Sequence, residues 1–205
     1  MTSTRERILD TAEICFAQRG FDGTSLREIT SLADVNLGAV NYHFGSKSAL
    51  FEEVLRRRFE PLNQRRMDLL DAAIARHARG TPPLEEIMEA YLRPPVEAFG
   101  TPARATLLSV MNSVNAGQLN PEQFSNLFSK VHRHFAGIRD QLEPLSDAEL
   151  QGRMRFVVGG MIHLLADRMW TGSNLDSESV LKMLIQWSVS VLRAPVTFSP
   201  EETLE

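Results

Sequence analysis

The chain has 205 residues, a formal net charge of −4, 43% hydrophobic residues and a single cysteine. That is room for a short N-terminal domain and a larger core-forming one, and it excludes an internal disulfide. No run of 18 apolar residues and no signal-peptide core is present, so a cytosolic protein without a membrane span is expected.

In chain order, the first helix is expected over about Ser3–Arg19, opened by an S-x-x-E capping box, Ser3 with Glu6. Ile8, Ala12, Cys15 and Phe16 form its inner stripe, which makes Cys15 a core residue rather than a redox switch. A second capping box, Ser25 with Glu28, opens a short helix. Its inner face is expected to be Leu26, Ile29, Leu32 and Ala33, with Arg27, Glu28, Thr30 and Ser31 on the wet side. Asp34 follows at the turn, and Asp is one of the few non-glycine residues that accepts a left-handed backbone. Asn36 then caps a helix to about Phe44, with Val40 and Phe44 inward and Leu37, Gly38, Ala39, Asn41, Tyr42 and His43 outward. Gly45 ends it; Ser46 caps the next helix, with Lys47 in its first turn.

Two short helices joined in this way form a helix-turn-helix, which delivers its second helix to the major groove of duplex DNA. The candidate DNA-contacting residues are Thr24, Ser25, Arg27, Asn36, Gly38, Ala39, Asn41, Tyr42, His43 and Lys47. Small Gly38 and Ala39 let the backbone approach base edges. Asn41 can pair with adenine or donate to a phosphate, and Tyr42 offers a hydroxyl to a phosphate. A lysine in a first helical turn opposes its own helix dipole, so Lys47 points to an anion outside the helix end. Charge alone does not announce this function, because residues 1–60 hold eight Lys/Arg against nine Asp/Glu. The face presented matters more, and Arg5, Arg7, Arg27 and Lys47 can line it. The run Arg56-Arg57-Arg58 lies roughly 15 Å up the next helix from Lys47 and is read as a solvated helix face or an interdomain pairing site.

These residues resemble the N-terminal domain of the TetR family of bacterial transcriptional regulators. The resemblance runs from about Arg5 to Leu55, through Ile8-Leu9-Asp10-Thr11-Ala12, Phe16-Ala17-Gln18-Arg19-Gly20-Phe21, Thr24-Ser25-Leu26-Arg27-Glu28-Ile29 and Val40-Asn41-Tyr42-His43-Phe44-Gly45-Ser46-Lys47-Ser48-Ala49-Leu50. Two positions depart from the family pattern. The usual Ala-Gly-Val turn is Ala33-Asp34-Val35, and Asn41 stands where many members have a tyrosine. Either the phosphate contact of that tyrosine moves to Tyr42, or Asn41 reads a base.

The remaining chain reads as successive helices, so the fold class is all-α: a three-helix DNA-binding domain at 1–48, a helical ligand-binding and dimerisation domain at 49–193, and a loose tail at 194–205. The helix starting near Ser46 carries Phe51, Leu55, Phe59 and Leu62, then Met67, Leu70 and Ile74, and Pro61 is expected to bend or break it. Thr81-Pro82-Pro83 opens a helix that meets Pro94-Pro95 and is therefore short or kinked. Further helices are expected over about 102–118, 120–142, 146–170 and 176–192.

The last two helices are apolar nearly all round and need cover on two sides. A two-fold four-helix interface is the preferred reading, through Phe156, Gly160, Met161, Leu164, Leu181, Leu184, Ile185 and Trp187; the resemblance implies the same homodimer. Two copies would hold their recognition helices about 34–36 Å apart, the repeat of a palindromic operator. The resemblance also implies a cavity for a small, mostly apolar effector in the central helices. Met88, Tyr91, Phe99, Met111, Asn115 and Phe128 are the candidate lining, with Arg93 and His132 among the polar groups that could orient a ligand. Met and Phe at helical spacing are more often plain core. The Pro61-Leu62-Asn63-x-x-Arg66 and Gly160-Met161-Ile162-His163 stretches also look like members responding to fatty acids or acyl-CoA thioesters.

His132 and His134 fall on different helix faces and make a poor metal pair. No Gly-rich phosphate loop, G-x-S-x-G or H-E-x-x-H is present. The expectation is a non-enzyme without cofactor or metal: a DNA-binding repressor, at the nucleoid when bound to its operator and released by its effector. The alternative is a regulator or activator that binds DNA constitutively.

Overall fold

The computed structural model describes residues 2–77, 80–99, 129–131, 135, 139, 142, 145–166 and 176–196. Among these residues the chain is helical, without strands. The helices are α1 Thr4–Arg19, α2 Leu26–Leu32, α3 Leu37–Phe44, α4 Lys47–Arg76, α5 Leu84–Phe99, α6 Asp147–Ala166 and α7 Ser177–Leu192. The all-α expectation is met. The helices expected over about 102–118 and 120–142 lie largely outside the described residues.

The chain divides into two compact units, Met1–Asn63 with Thr101–Ser129, and Gln64–Gly100 with Lys130–Glu205. In the first, α1, α2 and α3 pack on one another around Ile8, Ala12, Phe16, Ile29 and Val40. The first turns of α4 add Leu50, Phe51 and Val54. Phe51 meets Phe16 edge-on at 4.8 Å and Phe21 at 5.1 Å, an aromatic cluster in which each fully buried ring stabilises by about 2–3 kcal/mol. Among the described residues four ion pairs stitch α4 to α1: Arg5 with Glu53, Arg57 with Asp10 and with Glu6, and Arg58 with Glu13. Two of the three arginines of the 56–58 run therefore serve α1–α4 pairing, and Arg56 pairs with Glu53 on its own helix. Glu6, Asp10 and Glu13 recur at helical spacing on α1, an acidic stripe that sequence could have matched to this run.

Four local expectations are corrected. On α2 the buried stripe is Ile29, Thr30 and Ala33 with half-buried Leu26, the i, i+3, i+4, i+7 set of one helix face. Leu32 falls off that stripe and is 64% exposed, whereas Thr30 is buried with its hydroxyl donated to the Arg27 carbonyl at 2.9 Å. The third concerns Pro61, expected to bend or break α4: it does not break the helix, which runs through it. Proline removes one helical donor, but Pro61 is exposed, so the carbonyl it orphans can reach water while Phe59 on one side and Leu70 on the other stay buried. The fourth concerns the far half of α4, whose buried face runs through Arg66, Leu70 and Ala73, leaving Ile74 46% exposed and Met67 half-buried.

In the second unit, α7 packs on α5 and α6. Helix α5 runs through Pro94 and Pro95 to Phe99, longer than a helix stopped at the prolines. Leu84, Ile87, Met88, Tyr91 and Leu92 make its buried face, with Leu181, Leu184 and Leu192 from α7 and Val157 and Met161 from α6. Arg193 with Glu85, and Arg93 with Glu178, pin α7 to α5 at two places. No described helix is long and apolar enough to cross a membrane.

Candidate nucleic-acid interface

The helix-turn-helix is built by a chain of capping interactions. Ser3 Oγ accepts from the Glu6 amide at 3.2 Å, and Ser25 Oγ accepts from the Glu28 amide at 3.1 Å. The reciprocal half of the second box is absent, because the Glu28 carboxylate pairs with Arg19 instead. Helix α2 then closes in a Schellman turn. The Asp34 amide donates to the Ser31 carbonyl at 3.4 Å, and the Val35 amide to the Thr30 carbonyl at 3.0 Å. Asp34 sits at φ +52°, the left-handed backbone expected of it. Two residues later Asn36 Oδ1 accepts from the Ala39 amide at 2.8 Å and starts α3. Gly45, at φ +77°, ends α3, and Ser46 Oγ caps α4 through the Ala49 amide at 3.1 Å.

Helix α3 buries Val40 completely and presents Leu37, Gly38, Asn41 and Tyr42 to solvent. Tyr42 is 85% exposed, and its ring lies edge-on to His43 at 5.0 Å. An open hollow of about 710 Å³ flanks the N-terminal end of α3, lined by Thr4, Arg7, Ser31, Asp34, Asn36 and Ala39 among others. A solvent-facing helix with one fully buried apolar anchor, Val40, small residues at its second and third positions and an amide and a phenol on its outer face has the form of a groove reader.

The structure sorts the cations of this face. Arg27 is exposed, and no ion pair of its guanidinium is found among the described residues. Arg5 pairs with Glu53 and lies 5.3 Å from the centre of the Phe44 ring. Lys47 places Nζ 4.3 Å over the Phe21 ring, so its charge has an internal partner besides any anion beyond the helix end. Arg7 turns to the main chain: its Nη2 donates to the Ala33 and Asp34 carbonyls at 2.5 and 2.7 Å. Thr24 is buried, with its hydroxyl given to the Gly20 and Cys15 carbonyls at 2.8 and 3.1 Å, so that side chain has a folding role. Ser25 and Asn36 hold helix ends through their side-chain oxygens.

Residues 8–54 match the family model of bacterial regulatory proteins, tetR family. Among curated proteins, the chain is 41% identical over 58 residues to a probable HTH-type transcriptional regulator of Bacillus subtilis, YttP, covering 28% of each chain. It is 34% identical over 90 residues to the HTH-type transcriptional repressor KstR2 of Mycolicibacterium smegmatis, 44% of this chain and 40% of that one. These matches span less than half the length of those relatives. A TetR-family regulator of Streptomyces coelicolor is similar along most of both chains, at 26% identity, 92% and 94% coverage and a TM-score of 0.54. NalD of Pseudomonas aeruginosa, a secondary repressor of a multidrug efflux pump, shares the fold at 24% identity, 94% and 98% coverage and a TM-score of 0.64.

Beyond the TetR segment, the other candidate residues separate. Of the effector set, Met88 is fully buried and Tyr91 is 5% exposed, stacked edge-on against Phe135 at 5.2 Å. The Arg66 guanidinium lies 4.5 Å over the Tyr91 ring and its Nε donates to the Tyr91 carbonyl at 2.9 Å, while burial pushes the guanidinium below its ordinary range. Met111, Asn115, Phe128 and His132, and the side chain of Phe99, lie outside the described residues. Arg93 is engaged by carboxylates, Glu178 at 2.5 Å and Glu89 at 2.7 Å, rather than facing an apolar space. Of the dimer set, Phe156 is 69% and Trp187 48% exposed, and Gly160 is open. Leu164 and Ile185 are half-buried. Met161, Leu181 and Leu184 are buried within the chain, because they fill the contacts of α7 with α5 and α6.

Proposed function

We propose that this protein is a DNA-binding transcriptional regulator that acts as a repressor. Two copies bind a palindromic operator, and a small, mostly apolar effector releases them. The observation that carries the reading is α3: a helix anchored on α1 and α2 by Val40 and presenting its other face to solvent after a Schellman turn, in the segment that matches the TetR family. Relatives over this segment are named as transcriptional regulators and repressors, which supports the sign of the regulation proposed.

Homodimerisation is supported by the outer face of α6, where Gly152, Phe156, Gly159 and Gly160 are exposed and a Cβ added at each of these glycines would meet open space. Trp187 of α7 is similarly uncovered. A large apolar ring beside small residues is a surface a second helix can approach closely. The effector is proposed to enter the helical C-terminal domain, a fatty acid or acyl-CoA thioester being the first class to screen. Its differential affinity for two spacings of the recognition helices is what would release the operator.

A mobility shift on the DNA upstream of the gene tests the reading, with and without acyl compounds. Retardation reversed by ligand supports it; binding indifferent to every ligand leaves a constitutive regulator in its place. Lys47→Ala is expected to weaken binding to all duplexes and lower the salt slope by about 1, whereas Asn41→Ala relaxes preference at one base pair.

A further inference from the structure

Arg7 is the one described cation of the α1–α3 region whose charged end is committed to main-chain carbonyls at the turn. The Schellman bonds of α2 consume the Thr30 and Ser31 carbonyls, and the next acceptors at the helix end still need donors. Arg7 supplies two of them from a different helix, with one nitrogen reaching both Ala33 and Asp34. The Asp34 carboxylate lies 3.6 Å from the same nitrogen on the solvent side, fully exposed, so it adds only a screened attraction to the two carbonyl bonds. A cation at the C-terminal end of α2 also suits the helix dipole. Asp34 is the left-handed residue of the turn, and α3 begins three residues after it. Whatever holds the Ala33–Asp34 carbonyls therefore sets where α3 starts and how it leaves α1.

We infer that Arg7 is a positioning residue for the recognition helix, acting through the Ala33 and Asp34 carbonyls, and not a phosphate ligand. The inference rests on the reading of α3 as the DNA reader. It departs from the expectation that Arg7 lines the DNA face, and it gives α1 a direct part in specificity. The partly exposed hollow beside the turn supports this division, since its only described cation faces an acid.

The test uses the full-length protein and its Arg7→Ala, Arg7→Gln and Arg7→Lys variants, with the operator fragment and a scrambled duplex. Amide hydrogen exchange is followed in the DNA-free proteins. Loss of charged-donor bonds at the turn is expected to lower operator affinity about tenfold to a hundredfold in the Ala and Gln variants. Scrambled-duplex affinity should stay within about twofold, and the slope of log affinity against log salt should be unchanged. Exchange at the Asp34, Val35 and Ala39 amides should accelerate, with Arg7→Lys intermediate. A salt slope lower by about 1, with equal loss on both duplexes, would instead make Arg7 a phosphate ligand and overturn the inference. Lowered thermal stability with unchanged operator affinity of the folded fraction would overturn it too, leaving a purely structural residue. If the wild-type chain binds no DNA while the variants still lose protection at the turn, the DNA-reader reading fails and the positioning of α3 stands.

Discussion

Asp34 shows how one residue can carry a fold decision. A left-handed backbone costs an L-residue about 1–2 kcal/mol, and Asp is among the residues that bear it best. At φ +52° the position would not accept a β-branched side chain. Asp34→Val is therefore expected to destabilise by about 2 kcal/mol in urea denaturation, while Asp34→Gly leaves stability within about 1 kcal/mol of the parent. Glu53 offers a pH-dependent counterpart. Burial pulls its carboxyl upward, but hydrogen bonds and charges from Arg56 and Arg5 outweigh that and hold it below the ordinary carboxylate range. A carboxylate depressed in the fold stabilises above its unfolded pKa, about 4.3, and loses that contribution as pH falls through the lower folded value. The stability difference between the parent and Glu53→Gln should thus be present at pH 7 and shrink as acid protonates the group. A gap that widens in acid would contradict the pairing.

At the scale of elements, what was legible in the sequence was local. Ser3, Ser25, Asn36, Ser46 and Asp176 each announce a helix start by side-chain chemistry that acts within three residues, and each is found capping. The Asp34 turn was readable for the same reason. Longer-range choices were not. Leu32 is as hydrophobic as Leu26, and only packing against α1 decides which of them is covered. Arg66 is a charged residue that the core accepts because the Tyr91 carbonyl, 25 residues along the chain, lies within reach, a partner no periodicity reveals. Arg7 read as a DNA-facing cation because its carbonyl partners are 26 and 27 residues away. At the other end of the chain, Arg153 makes a similar clamp. It is 9% exposed; Nη1 donates to the Leu192 and Ala194 carbonyls at 2.7 Å each, and Nη2 to the Pro195 carbonyl at 3.0 Å and to Glu149 at 2.5 Å. Arg153→Ala removes the donor of the carbonyls at the end of α7, so a loss of about 2–4 kcal/mol is expected. Hydrogen exchange in the last turn of α7 should rise selectively; uniform exchange changes would mean the clamp does not act locally.

For the whole molecule, the proposed dimer predicts that the exposed face of α6 brings two DNA readers together. Phe156 is 69% exposed in the single chain, so its replacement does not disturb the chain's own core. Phe156→Glu would place two like charges near the two-fold axis and should yield a folded monomer by sedimentation, with an unchanged helical spectrum and operator binding weakened by at least tenfold. A variant that stays dimeric would move the interface away from α6.

Footprinting of the purified protein on a fragment selected from random duplexes reads both recognition helices and their spacing at once. Two protected half-sites related by a dyad, with centres about 10 base pairs or a multiple of that apart on one face of the duplex, are expected of a dimer that reads DNA through α3. Failure to enrich any fragment over bulk duplex at low ionic strength would contradict that reading.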